Sequence, residues 1–271
     1  MLFRSGASPH RGLPGPVPAS AHDTVFSSAR AMSHVVEIAR LPRPTGSAEH
    51  DRVRSYLLAR LRALGIETDT QTTTSYLGEP GSDHALSATV RNVVARIPGT
   101  ASGASVALVA HYDAAPSSPG AAGGAFGVAT VLEAFRALAA GPAPRHDVIV
   151  AFTDGEALGG LGIQAFVARH PWARTVRVAI TAGAFAGAGP VAVVETNPND
   201  GPLLEGFERG GLRPLPSAAA RTLVTSGALS DALAPFLESG AQVVRFVALG
   251  DRKSTRLNSS HSQQSRMPSS A

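Results

Sequence analysis

Two short stretches of the sequence place polar side chains that can do chemistry directly after apolar runs. The first stretch, AHYD, follows the apolar residues VALV and contains His111 and Asp113. Residues two apart on an extended chain point to the same side, so we expect the Asp113 carboxylate to lie beside the His111 ring. It would then fix the tautomer of the ring and leave the other ring nitrogen available to a metal ion.

The second stretch, FTDGEALGG, supplies Asp154 and Glu156 at a glycine-flanked turn that leads into a helix. A carboxylate held there beside a metal-bound water could take a proton from that water. Each stretch alone is also compatible with a structural role, with His111 hydrogen-bonded in the fold and Asp154 capping the next helix. The two stretches together favour a shared site but do not identify the metal.

The elements that must position these residues alternate between strand and helix. Apolar runs predict strands at 92–99, 105–113, 147–154, 176–181, 190–195 and 242–249, and helical periodicity predicts helices at 47–65, 125–140, 161–169, 201–209 and 230–238. This alternation is typical of a sheet between two helix layers. Ligands of open α/β sheets collect at the carboxyl ends of the strands, where both polar stretches lie.

Composition limits the possible chemistry. The chain has 271 residues and is 44% apolar, enough to fill the core of a large α/β domain. Cysteine is absent, so any metal must be held by His, Asp or Glu. No apolar run approaches the roughly 20 residues of a membrane span, and we expect no membrane contact from this fragment. A Gly-x-Ser-x-Gly elbow and a dinucleotide fingerprint are both missing, which argues against serine hydrolysis and nucleotide binding.

The two ends of the chain differ in composition from its body. Residues 251–271 hold the only lysine and begin DRKSTRLNSSH, which resembles a translated sequencing adapter, as does the opening MLFRS. Five of the 24 basic residues but one of the 20 acidic residues lie in these ends, so the body is formally neutral and no nucleic-acid surface is expected. The predicted organisation is a disordered linker over 1–30, with 1–5 foreign, a C-terminally truncated catalytic-type domain over 31–250, and an artefactual tail over 251–271.

The order of motifs resembles family twenty-eight of the metallopeptidases, the di-zinc aminopeptidases, and particularly its vacuolar-membrane-protease-like branch. The resemblance rests on AHYD, GVATVLEAFRAL, FTDGE and HPWA in succession, preceded by RPTGSAEHDRVRSYLLARLRALGIE and NVVARIPGT, and it covers residues 33–250. It implies a three-layer α/β/α fold with a mixed, mostly parallel central sheet, the phosphorylase/hydrolase-like zinc exopeptidase fold. It also implies two zinc ions and a peptide substrate cleaved at its N-terminus by metal-activated water. The full-length parent could carry a membrane anchor or be exported, and the sequence leaves localisation open.

Within this resemblance, three residues keep an assigned role. His111 matches a zinc ligand, Asp113 matches the carboxylate that orients it, and Glu156 matches the general base.

The other expected ligands are replaced. Gly123 stands where a bridging Asp is expected, Ala157 where the second Glu of a pair is expected, and Gly183 where a further acidic ligand is expected. The second ligand His is expected beyond Gly250, where the foreign-looking sequence begins. Because zinc prefers about four donors, we predict that this copy has lost zinc and activity.

Two alternatives keep a role for the site. One is a single metal ion in a rearranged loop, held by His111, Asp113, Glu156 and Asp154. The other is a non-catalytic module that keeps the pocket for peptides or partners. In that case the small-residue stretches at 120–127 and 181–189 are simple close-packing loops.

Overall fold

The computed structural model describes residues 15–78, 86–184, 191–196, 201–209 and 233–248. The first 14 residues and the predicted tail over 251–271 lie outside the described residues, as does the start of the helix predicted at 230–238.

Within the described ranges, seven strands form one mixed sheet. They are β1 (Glu67–Leu77), β2 (Leu86–Ile97), β3 (Ser105–His111), β4 (Asp147–Thr153), β5 (Val176–Ala184), β6 (Val191–Thr196) and β7 (Gln242–Ala248). Their order across the sheet is β1-β2-β4-β3-β5-β7-β6. The four central strands β4, β3, β5 and β7 run parallel, and the pairs β1–β2, β2–β4 and β6–β7 are antiparallel. The central strands therefore present their carboxyl ends at one edge.

The main helices are α1 (Ser28–Ile38), α2 (Ala48–Ala63), α3 (Phe126–Ala139), α4 (Leu161–Arg169), α5 (Gly201–Arg209) and α6 (Ala234–Glu238). Apolar residues of α1, α2 and α3 share one buried cluster, whereas those of α4 and α6 belong to another. β4 shows how the sheet separates the two clusters, because Val148, Val150 and Phe152 face the first while Ile149 and Ala151 face the second. The three-layer arrangement with a mixed sheet is thus confirmed.

Local sequence explains the boundaries of α2. The Ser47 hydroxyl accepts the His50 N–H at the start of the helix, and Gly65 follows its end with a positive φ of 69°. Val53, Leu57 and Leu61 form one stripe that is fully buried against the sheet. Both ends of this helix agree with the pattern in the sequence.

The segment before α2 differs from the linker predicted up to residue 30, because residues 15–30 pack on the body and α1 begins within them. The fully buried Glu133 carboxylate of α3 accepts hydrogen bonds from the Ser27 N–H and from the side chains of Arg30 and Arg136. Arg30 also donates to the carbonyl oxygens at positions 19, 21 and 25. Periodicity missed this contact because it depends on one buried carboxylate about a hundred residues away.

Among the described residues, one helical stretch, Ala121–Ala139, is long and apolar enough to cross a membrane by length and composition. Half of it is buried inside the fold, where α3 packs against the sheet. This is the behaviour of a core helix, so the stretch is weak evidence for a membrane span.

Candidate metal centre

β3 and β4 bring the two polar stretches together. The strands are parallel neighbours, and His111, the last residue of β3, pairs in register with Thr153, the last residue of β4. Asp113 and Glu156 follow these positions by two and three residues. The three residues singled out from the sequence therefore lie at the same edge of the sheet.

Asp113 ties the two strand ends to each other. Its carboxylate is fully buried, and one oxygen lies 3.4 Å from His111 Nδ1. The same oxygen accepts the Glu156 N–H at 3.1 Å, and the other oxygen accepts the Ala157 N–H at 3.0 Å. The His111 side chain is 34% exposed, so its ring lies between the buried carboxylate and the open edge of the sheet.

Charges within this group favour its ionised forms. Burial would raise the pKa of Asp113, but His111 and the two backbone N–H groups outweigh it and lower that pKa overall. Burial would likewise lower the pKa of His111, but the carboxylates of Asp113 and Glu156 outweigh it and raise that pKa. The lowered pKa of Asp113 and the raised pKa of His111 both favour the charged pair.

Glu156 begins a short 3₁₀ turn, Glu156–Leu158, at the end of β4. Gly155 before it has a φ of 69°, a left-handed conformation that favours glycine and turns the chain sharply after the strand. The Glu156 side chain is half-buried and close enough for its charge to act on His111. Glu156 and His111 are therefore electrostatically coupled at the ends of β4 and β3.

The three positions expected to carry further ligands open onto space. Gly123 lies in the turn Ala121–Ala125 and Gly183 lies in β5, and a Cβ added at either would meet no atom within 4 Å. Ala157 is exposed. Gly124, next to Gly123, passes so close to His111 that a Cβ there would lie 3.0 Å from His111 Cε1. The backbone passes close to the histidine, and these three positions carry no carboxylate.

The donors of the described residues do not fit a zinc ion. Zinc sites use three protein ligands and a water, or four protein ligands. Among the described residues, no group of three or more His, Asp or Glu side chains is arranged to hold a metal. At this edge His111 and Glu156 are each partly exposed, and Asp113 already accepts two backbone N–H groups.

Asp154, the fourth residue of the single-metal alternative, is engaged elsewhere. It is buried, and one oxygen lies 2.8 Å from the Thr45 hydroxyl and 2.9 Å from His50 Nε2. Its other oxygen accepts the Arg91 N–H at 2.9 Å. Asp154 thus stabilises the fold around the site, and a metal would have to displace these partners.

Sequence reasoning did not single out Arg43, His50 or Tyr112, which pack behind the site. Arg43 and His50 are fully buried, and the His50 ring stacks on Tyr112 with centroids 4.5 Å apart. The motif RPTGSAEH contains two of these residues, and we used it only as part of the resemblance. The signal that could have identified them is the arginine and the histidine at the two ends of that motif, Arg43 and His50.

Comparison with solved structures defines the class of protein. The chain superposes with a TM-score of 0.64 on a zinc aminopeptidase from Bacillus subtilis, at 14% identity, covering 85% of this chain and 87% of that one. It superposes with a TM-score of 0.63 on glutaminyl cyclase from Porphyromonas gingivalis, at 20% identity, covering 85% and 86%. At these identities the likeness concerns the fold alone, a mixed sheet between two helix layers.

Sequence comparison defines the family. The model of peptidase family M28 matches residues 92–268, more than half of the chain, and the chain therefore belongs to this family. The match runs past Gly250 into the segment predicted to be an artefactual tail, and that assignment stays a prediction.

Curated relatives are much longer. The chain is 28% identical over 210 residues to endoplasmic reticulum metallopeptidase 1 of Rattus norvegicus, covering 72% of this chain and 23% of the relative. It is 36% identical over 145 residues to the vacuolar membrane protease of Candida dubliniensis, covering 51% and 15%. The chain thus spans less than a quarter of the length of these relatives.

Proposed function

We propose that this chain is a member of metallopeptidase family M28 that holds no zinc and hydrolyses no peptide. The observation that carries the proposal is the open space at Gly123 and Gly183, together with the methyl group at Ala157, where carboxylate ligands are expected. A lone imidazole cannot replace the donors that zinc requires. His111, Asp113 and Glu156 remain as part of an aminopeptidase-type site.

The electrostatics of the site agree with this proposal. A full set of carboxylate ligands without metal would crowd like charges and raise their pKa values. Here, burial raises the pKa of Asp113, but His111 and the N–H groups of Ala157 and Glu156 lower it overall. Without a metal, water keeps its high pKa, so Glu156 has no acidified proton to accept.

The test uses the purified full chain after incubation with zinc and removal of the excess. Bound zinc is measured by mass spectrometry, and hydrolysis is followed with an aminoacyl chromogenic substrate, with the Bacillus subtilis zinc aminopeptidase as positive control. We expect zinc well below one ion per chain and no turnover. Stoichiometric zinc with turnover that Glu156→Gln abolishes would show that the enzyme is active and that the proposal is wrong.

A second candidate function is a non-catalytic module that binds peptides. It is favoured by the intact scaffold of the site, in which Asp113 remains hydrogen-bonded beneath a partly exposed His111 and open space lies beside them. A half-buried Glu156 carboxylate suits a peptide amino group. Fluorescence anisotropy with one labelled peptide, carrying a free or an acetylated N-terminus, tests this role. Binding of the free form that Glu156→Gln weakens supports the module, and equal absence of binding by both forms excludes it.

The longer relatives suggest the setting of the domain. Their names place them at the vacuolar membrane and in the endoplasmic reticulum. We infer that the parent of this chain is a longer, membrane-anchored protein in which this domain meets peptides. Fractionation of cells that express the complete gene tests this inference, and recovery of the parent wholly in the soluble fraction would contradict it.

A further inference from the structure

The segment between α1 and α2, together with the first turn of α2, touches both strand ends of the site. Its first contact is Arg43, whose side chain is fully buried and donates to backbone carbonyls. Nε donates to the Tyr112 carbonyl oxygen at 2.6 Å, and the two terminal nitrogens donate to the carbonyl oxygens of Pro119 and Gly120. In return, the Arg43 carbonyl accepts the Ala114 N–H at 3.1 Å. Arg43 therefore fixes the loop after β3 at both its start and its end.

The other half of the same segment holds the end of β4. The Thr45 hydroxyl donates to Asp154 at 2.8 Å, and His50 Nε2 lies 2.9 Å from the same oxygen. His50 stacks on Tyr112, whose hydroxyl donates to the Arg91 carbonyl at 2.6 Å. One segment thus contacts both the loop that carries Asp113 and the turn that precedes Glu156.

A buried guanidinium needs a physical reason, because moving a charge out of water is costly unless it is well hydrogen-bonded. Burial lowers the pKa of Arg43 to about 10, while the nearby charge of Asp113 favours the cation. The backbone around it is tightly fitted as well. Gly120 has a φ of 59°, and a Cβ there would lie 2.8 Å from the Ala114 side chain. The loop backbone is therefore closely packed around the arginine side chain.

We propose that the segment from Arg43 to His50 is the positioning element of the site, with Arg43 holding the Asp113 loop and Thr45 holding the Asp154 turn. Through these contacts it sets the distance between the His111–Asp113 pair and Glu156. The proposal concerns the shape of the site and is independent of whether a metal binds there.

The experiment measures amide hydrogen exchange by NMR on the full chain. The Glu156 and Ala157 N–H groups report directly on the seat of Asp113, because both donate to its carboxylate. Arg43→Met removes every side-chain bond to the loop, and we expect exchange at these two amides to rise about tenfold or more relative to the ladder amides between β1 and β2. Arg43→Lys keeps the charge without the fork of donors and is expected to give a smaller selective rise.

Matched variants separate positioning from general stability. Arg96→Met is the control, since Arg96 pairs with Glu67 on the far side of the sheet and should leave the site amides unchanged. Thr45→Val, which has no hydroxyl, should speed exchange of the Arg91 amide that donates to Asp154, whereas Thr45→Ser should restore it.

Two outcomes would overturn the proposal. In the first, exchange at the Glu156 and Ala157 amides does not change in either arginine variant. In the second, all amides accelerate by one common factor, which would show loss of global stability alone. If Arg43→Met does not fold, Arg43→Lys and the threonine pair still decide between these outcomes.

Discussion

If only side chains are missing from the metal centre, replacing them should restore zinc binding. The variant is Gly123→Asp combined with Ala157→Glu and Gly183→Asp. A Cβ at Gly123 or at Gly183 meets no atom within 4 Å. The added Cβ atoms should therefore cause no steric clash. With His111 the substituted side chains supply four donors, enough for one zinc ion.

The magnitude follows from the charges. Two carboxylates about 6 Å apart at an effective dielectric of about 20 repel by about 3 kcal/mol, so the variant without zinc should be less stable than the parent. Zinc at about 100 times its Kd stabilises the folded state by about 2.7 kcal/mol. For a chain of this size, that shifts Tm by about 5–10 °C.

The assay is thermal unfolding with and without zinc, together with titration of bound zinc. We expect zinc to raise Tm in the restored variant and to leave the parent unchanged. The control carries acidic residues at open, exposed positions away from the site, Gly206→Asp and Ala59→Glu. The reasoning is refuted if the restored variant binds no zinc, or if zinc stabilises the parent and the control equally.

Three further predictions test individual contacts. The pKa of Asp113 is lowered in the folded state, so its contribution to stability is complete above the ordinary value of about 3.8 and is lost as pH falls through the lower folded value. In urea unfolding between pH 2 and 6, Asp113→Asn should therefore reduce this loss of stability. Glu133→Gln should lower the free energy of unfolding by about 2–3 kcal/mol and make the segment 15–30 accessible to trypsin, whereas Glu37→Gln, at a more exposed pair, should lower it by under about 1 kcal/mol. Equal losses would contradict the role given to Glu133 in holding this segment. Gly127→Ala places a Cβ 2.4 Å from a carbonyl oxygen and should destabilise by about 1–3 kcal/mol in chemical denaturation, while Gly183→Ala should be nearly neutral; the reverse order would show that the local packing is misread.

Much of the fold could be predicted because its elements carry local signals. The helix 161–169 and the strand 147–154 agree with α4 and β4 to within one residue. Alternating strands and helices then leave few topologies, and the site follows at the carboxyl ends. His111, Asp113 and Glu156 could be placed at one edge of the sheet for that reason.

The remaining features depend on contacts distant in sequence. Ser27 and Arg30, at the start of α1, are hydrogen-bonded to Glu133, about a hundred residues away. The local sequence around α1 does not predict that partner. Asp154 could be read as a metal ligand or a cap, and its real partners, Thr45 and His50, lie before β1. Such side-chain pairings are set by packing, which periodicity does not report.

The most direct test of the central claim is anomalous diffraction at the zinc edge from crystals of the full chain grown with excess zinc. We predict no anomalous peak within about 3 Å of the His111 ring, because the donors beside it are too few. A peak about 2.0–2.1 Å from a His111 nitrogen, with two or more further oxygen or nitrogen donors around it, would contradict the account.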